Sequence, residues 1–430
     1  MRRKFFSLLL GLLAAVAEAQ DFDACFADST LRIDYIFSGD ASHVAVSVSG
    51  LSSLPRWAGR RHNLPQLPLE GNGQVVMTDV ASGEVVYCHS FSSLFQEWLE
   101  TAEARAVCRA FENVCLLPFP LRPVDVTVTL YDAHCKPQAT LTHRVSPDDI
   151  LIRHRADSAL PPHKTLLRSG SSRRCIDVVI LAEGYTAGET ALFYADAATA
   201  CESLFAHEPF KSLRRWFNVV AVATPSADSG VSVPRLGLWK QTAFGSHFST
   251  FYSDRYLTTS RLFALHDAVA DIPYEHIVVL ANTGEYGGGG IYNSCTLTAA
   301  HHPDFGPVVV HEFGHSFAGL ADEYCYEGDA MNGLYPPDVE PWEPNITTLV
   351  RFGDKWQDLL APGTPLPTPL RSASCYPVGV YEGGGYSPRG VYRPAADCRM
   401  RSNDSPDFCP VCQRAIRRLV EFYIGETTIH

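Results

Sequence analysis

A chain of 430 residues with 46% apolar and 19% charged side chains has the composition of a folded globular protein, which excludes long disordered tracts, and its length accommodates two domains or one large domain with insertions. A formal net charge of -12 argues against nucleic acid and anionic lipid as partners. After residue 20 no stretch reaches the roughly 18 apolar residues of a membrane span, so membrane insertion is not expected.

The amino terminus reads as an export signal. Arg2, Arg3 and Lys4 form a basic start, Phe5 to Val16 an apolar run, and Ala17-Glu18-Ala19 a small-residue cleavage site. Residues 1–19 are therefore expected to be a signal peptide, with the mature protein secreted, periplasmic or at the cell surface. All 13 cysteines follow the cut, where disulfides are the first expectation. The odd number leaves at least one thiol without an intrachain partner.

Residues 20–150 carry short alternating runs, including Leu31 to Phe37, His43 to Val48, Gln74 to Met77 and Val124 to Leu130, divided by Gly, Pro and Ser. They predict an antiparallel β-sandwich with an accessory role, interrupted by one helix around Leu94 to Phe111. Residues 151–173 are polar and contain proline, as a linker does. From 174 to 430 the pattern changes. Ile176 to Leu181, Phe217 to Ala223 and Ile277 to Leu280 read as buried strands, with helices expected from about Glu189 to Ala206 and Thr258 to Val269. Thr186 and Glu189 have the spacing of a capping box. The second domain is thus α/β, and the whole chain is mixed α+β.

The chemistry gathers on a helix predicted from Pro307 to Leu320. It carries His311-Glu312-Phe313-Gly314-His315. Histidines four apart share one helix face, so both imidazoles can reach one ion, and Zn²⁺ accepts neutral imidazole nitrogen. Glu312 lies beside the first ligand, placed as general base toward a water whose pKa the metal lowers to near 7. A catalytic zinc needs a third protein ligand and one open position. Long zincin motifs place Gly three residues before that ligand. Gly319 and Asp322 keep the interval, although Gly319 falls one residue later than in that pattern, which has Ala318 at its glycine position. Asp322 is the first candidate; Glu323 and a distant residue stay open as alternatives.

The run HEFGHSFAGLADEY resembles the active-site signature of the bacterial IgA-peptidase family of zinc metallopeptidases. VVILAEGYT near Ile176, GGGGIYNS from Gly287, YEGGGYSPRGVYRPAADCRMRS from Tyr381 and FCPVC from Phe408 resemble it in the same order. Ser90 to Trp98 is similar to that family's non-catalytic sandwich. The resemblance implies a zincin-like, more narrowly metzincin-like, catalytic domain and endopeptidase activity on a protein or peptide substrate of host or dietary origin. It assigns His311, His315 and Asp322 to one zinc ion and Glu312 to the base. Nothing in the sequence identifies immunoglobulin A as the substrate.

Further residues are candidates for supporting roles. Met400, in Cys398-Arg-Met-Arg-Ser402, is the candidate for the methionine turn beneath a metzincin metal. Gly287 to Gly290 reads as a rim or edge strand that pairs with an extended peptide, with Gly289, Gly290 and Tyr292 as its substrate contacts. Tyr324, Tyr386 and Tyr392 are candidate oxyanion donors, though a structural role is the default for each. Cys409-Pro-Val-Cys412 has the spacing of a zinc knuckle. A structural zinc needs four ligands and an exported chain favours disulfides, so these cysteines are assigned to disulfides, with Cys398, Cys375 and Cys325 as partners. Two rival functions remain: a zinc hydrolase of a non-peptide amide or ester, and a surface-binding sandwich with a structural metal.

Overall fold

The computed structural model describes residues 21–155, 160–325 and 333–426. The expected signal peptide lies outside them. Eight strands, β1 (Phe26–Gly39), β2 (Val44–Leu54), β3 (Gly73–Asp79), β4 (Val85–Phe91), β5 (Arg109–Pro120), β6 (Val124–Tyr131), β7 (Pro137–Val145) and β8 (Arg153–His154), form two four-stranded sheets ordered β5-β1-β2-β8 and β4-β3-β6-β7. Strict alternation makes the sandwich: in β6 Val124, Val126, Val128 and Leu130 are buried while the residues between them are not. Aromatic rings fill the centre, with Phe37, Phe95, Trp98 and Phe111 in contact.

The helix expected from Leu94 to Phe111 ends early. Helix α1 spans Leu94–Leu99, capped by the Ser93 hydroxyl. Phe111 belongs to β5, where it is buried at a core-facing position; packing in the sheet overrides any helical continuation.

The second domain is built on a six-stranded sheet ordered β13-β14-β12-β10-β11-β9. Its strands are β9 (His163–Leu167), β10 (Ile176–Glu183), β11 (Phe217–Val222), β12 (His276–Ala281), β13 (Gly288–Ile291) and β14 (Cys295–Ala299). The four inner strands run parallel and the two outermost are antiparallel to their neighbours. Every residue of β10 is buried, as befits a strand covered on both faces. Helices α2 (Thr190–Ala206) and α3 (Phe305–Ala318) cover one face through Phe193, Phe205, Phe313 and Phe317. A short hairpin, β15 (Tyr381–Gly384) with β16 (Ser387–Arg393), and helix α4 (Pro410–Ile424) complete the domain; α4 was not anticipated from the sequence.

The stretch read as a linker joins both sheets. Arg153 and His154 pair with β2, and His163–Leu167 forms an outer strand of the six-stranded sheet. The domains are in direct contact: Ser92 N–H donates to Tyr292 O at 2.9 Å, and buried Arg32 binds Asp267 across the junction at 2.6 Å. Among the described residues no helix is long and apolar enough to cross a membrane.

Candidate active site

Helix α3 ends at Gly319, whose left-handed backbone (φ 58°) lets its N–H reach the carbonyls of Gly314 and His315. The chain then reverses beneath the helix. Asn345 holds Ala321 like a strand partner, accepting from its N–H at 2.7 Å and donating to its carbonyl at 2.8 Å. Residues 322–324 run extended between two supports. Gly385 and Tyr386, in the turn joining β15 to β16, donate N–H groups to the carbonyls of Asp322 and Tyr324, while Glu323 N–H donates to the Met400 carbonyl. Neighbouring side chains on extended backbone point to opposite sides. Asp322 therefore faces the histidines, and Glu323 turns away from them toward Asn345 and Cys412.

The two imidazole Nε2 atoms are 3.0 Å apart, and Asp322 Oδ1 is 3.1 Å from His311 Nε2 and 3.3 Å from His315 Nε2. Each Nδ1 faces a backbone carbonyl, Arg399 O at 2.9 Å for His311 and Leu320 O at 2.5 Å for His315. A carbonyl only accepts, so each Nδ1 carries the proton and a neutral ring turns its Nε2 lone pair toward Asp322. Three acceptors then converge on one point. A tetrahedron with metal–ligand arms of about 2.0–2.1 Å has edges of about 3.3 Å, close to the observed triangle, so these residues fit a divalent ion. Glu312 also comes within 4.8 Å of both histidines, but Asp322 is closer and lies on the side where both Nε2 atoms point.

The electrostatics ask for positive charge. Burial disfavours an imidazolium at His315, yet the Asp322 carboxylate, reinforced by Glu312, outweighs it and pushes the pKa up to about 9. Burial would raise Asp322, but the imidazoles hold it well below the usual carboxylate range. Burial leaves Glu312 raised above its ordinary value, which suits a carboxylate that must take up a proton.

The remaining candidates separate. Met400 is fully buried, and a Cβ placed on Gly314 would lie 2.8 Å from its sulfur, so α3 rests on Met400 through a glycine. The same turn supplies the Arg399 carbonyl to His311. β13 is the outer strand expected, and its glycines are needed because the backbone is pressed from two sides. A Cβ on Gly288 would meet the Glu312 carboxylate at 2.7 Å, one on Gly290 the Glu312 carbonyl at 2.2 Å, and one on Gly289 the Tyr256 ring at 2.7 Å. The Gly288 carbonyl already accepts from Leu257 N–H, so the length of edge open to another chain is short. Tyr292 is buried against Trp342 at the junction with the sandwich. The Tyr386 hydroxyl donates to Asp322 Oδ2, from a residue held at φ 61°. Side chains rarely adopt that conformation, and here it aims the phenol. Tyr324 packs edge-on against Tyr386; Tyr392 sits on the hairpin, its backbone paired with Thr347.

The disulfide expectation is corrected: all 13 cysteines are free. Cys398 and Cys412 are close, but their sulfurs are 3.8 Å apart, far beyond the bonded distance of about 2.05 Å.

The sequence reading missed the sandwich's own contribution. Glu97, on α1, accepts from the Tyr256 hydroxyl, and burial pushes its pKa up to about 7. It lines the same cleft as His311, Glu312, His315 and Asp322, a space of about 1050 Å³ walled by both domains. Only the Ser93 cap, which starts α1, was a usable signal.

A family model described as IgA Peptidase M64 matches residues 165–377 and 371–420. The chain belongs to that family. A second model, Peptidase M64 N-terminus, matches residues 21–142 and covers most of the sandwich. No curated protein matches the chain. The resemblance noted in the sequence is therefore sound at the level of the family, which is one of peptidases.

Proposed function

We propose that this peptidase is a zinc-dependent endopeptidase with a zincin-like catalytic domain, and that it acts on proteins after export. The observation that carries the reading is the convergence of His311 Nε2, His315 Nε2 and Asp322 Oδ1 at 3.0–3.3 Å beside a second carboxylate, Glu312, that is held apart from them. A zinc ion bound there supplies polarisation of a carbonyl and of water. The chain does the rest. His311 and His315 keep their protons on Nδ1 and present lone pairs at Nε2. Tyr386 orients Asp322. Glu312 accepts a proton from the attacking water and returns it to the nitrogen of the departing amine.

The size of the cleft favours a peptide over a small amide or ester. At about 1050 Å³ it reaches the upper end of small-molecule sites, roughly 300–1,000 Å³, and it is bordered by the outer strand β13, whose short open edge gives an extended chain a place to pair.

The test is a cleavage profile of a protein mixture by mass spectrometry with the mature chain. Addition of a chelator should abolish cleavage, and Zn²⁺ should restore it. Glu312→Ala should retain metal and lose cleavage; undiminished cleavage by that variant would overturn the mechanism. Export is tested separately by whether the protein isolated from outside the cytoplasm starts at Gln20.

A further inference from the structure

Beyond Asp322 the same segment reaches a second set of donors. Glu323, Cys398, Cys409 and Cys412 are all buried, and one ligand atom of each lies within 4.8 Å of all the others. We propose that these four residues bind a second, structural divalent metal ion, with zinc the natural occupant, in a Cys₃Glu site separate from the His311–His315–Asp322 centre.

Four observations carry this. First, the Cys398 and Cys412 sulfurs are 3.8 Å apart, and the edge of a tetrahedron with zinc–sulfur arms of about 2.3 Å is about 3.8 Å. Second, Glu323 is fully buried and half-partnered. Its Oε1 accepts from Asn345 at 3.0 Å and lies 3.1 Å from the Cys412 sulfur, while among the described residues Oε2 has no hydrogen-bond partner. Leaving a buried carboxylate oxygen unpaired is costly unless a cation satisfies it. Third, Cys409 is the N-cap of α4 and Cys412 lies in its first turn, after Pro410. A helix start favours thiolate, and the Cys409 N–H also donates to the Cys398 sulfur at 3.2 Å.

Fourth, the charges balance. Arg393 and Arg399 are both buried, and among the described residues neither has a carboxylate within ion-pair distance. Their Nη groups bind backbone carbonyls of Glu382, Gly383 and Asn403. Arg393 acts electrostatically on Glu323 and Arg399 on Cys398. Three thiolates and a carboxylate carry four negative charges, and one divalent ion with two guanidiniums offsets them. A disulfide would consume two of the sulfurs and so remove two of these negative charges.

The site's place explains its use. It joins α4 and the nearby Met400 turn to the segment that presents Asp322, which is remote from both in sequence. A metal there fixes the Arg399 carbonyl against His311 and Asp322 against both histidines, without touching substrate.

The experiment is metal counting and thiol mapping on the purified mature chain. Elemental analysis should give two zinc ions per chain. His311→Ala/His315→Ala should keep one, and Cys409→Ser/Cys412→Ser should lose one. Cys398, Cys409 and Cys412 should resist alkylation until a chelator is added. With Co²⁺ in place of zinc, a thiolate-to-metal charge-transfer band should persist in the histidine variant and disappear in the cysteine variant; only a thiolate site produces it. If the cysteine variant does not fold, the histidine variant and the unsubstituted chain still decide. A non-reduced disulfide among these three cysteines, or a histidine variant that holds no metal and shows no such band, would overturn the proposal. Failure of the peptidase mechanism would instead appear as retained cleavage by Glu312→Ala, with this site's metal count untouched.

Discussion

Asp322 and Glu323 are adjacent in the chain, yet the donor sets they join differ in access. On the Asp322 side, two histidines and a carboxylate form one triangular face at the floor of a cleft of about 1050 Å³. On the Glu323 side, four donors surround one point, and all four residues are buried. In the roles proposed for them, the difference is that between catalytic and structural metal chemistry: three ligands with a position open to water and substrate, against four ligands and closure. One short segment serves both because the Asp322 and Glu323 side chains leave it in different directions. The open centre inherits rigidity from the sealed one through Met400 and Arg399.

The largest effect should come from Glu312→Gln. Cleavage is expected to fall by about 10²–10⁴-fold, the usual contribution of a positioned acid–base group, while metal content stays that of the parent. Steady-state kinetics with elemental analysis checks both. Loss of a metal equivalent in this variant would make Glu312 a ligand, filling the open position and breaking the contrast. Next is Tyr386→Phe, which removes the hydroxyl bonded to Asp322 Oδ2. Metal affinity at the open centre should fall by about 10–100-fold, and competition with a chelator should show the cysteine-bound metal released no sooner than in the parent.

How much of this was legible beforehand follows the range of each signal. The sandwich was readable because Val124, Val126, Val128 and Leu130 repeat with the period of a strand. The paired histidines were readable because their spacing is that of one helix turn. The interval from Gly319 put Asp322 ahead of Glu323 but left the choice open, since the segment that turns the two side chains apart is held by Gly385, Tyr386 and Met400, all remote in sequence. The spacing of Cys409 and Cys412 is legible, and an exported chain favours disulfides, so they read as disulfides with Cys398 among the partners; that Glu323 joins these three sulfurs is set only by the tertiary fold. Glu97 was invisible for the same reason: its role depends on the docking of one domain against the other.

The two inward-facing glycines of β13 sharpen the comparison on the open side. At Gly290 an added methyl meets backbone, the Glu312 carbonyl at 2.2 Å, which cannot move without displacing α3. Gly290→Ala should lower stability by about 1–3 kcal/mol, as overpacking does, readable in the denaturant midpoint. At Gly288 the methyl meets the Glu312 carboxylate itself, the end of a side chain able to swing. Gly288→Ala should leave stability nearly unchanged and lower kcat through a displaced base. Equal losses of stability in both variants would contradict this division.

The smallest effect concerns pH and the sandwich's share in the cleft. Burial raises Glu97 from an ordinary value of 4.5 to about 7, so between these values the folded chain binds a proton that the unfolded chain does not. By linkage this contribution to stability is complete below pH 4.5, declines as pH rises, and is gone once pH passes about 7. Glu97→Gln, which is neutral throughout, should remove that part of the slope, so the variant gains stability relative to the parent as pH rises from 4.5 to 7. Chemical denaturation across this range measures the difference. A parallel pair of curves would mean that the Glu97 carboxylate is solvated in the cleft rather than desolvated beside Tyr256, and that the sandwich borders the open centre without tuning it.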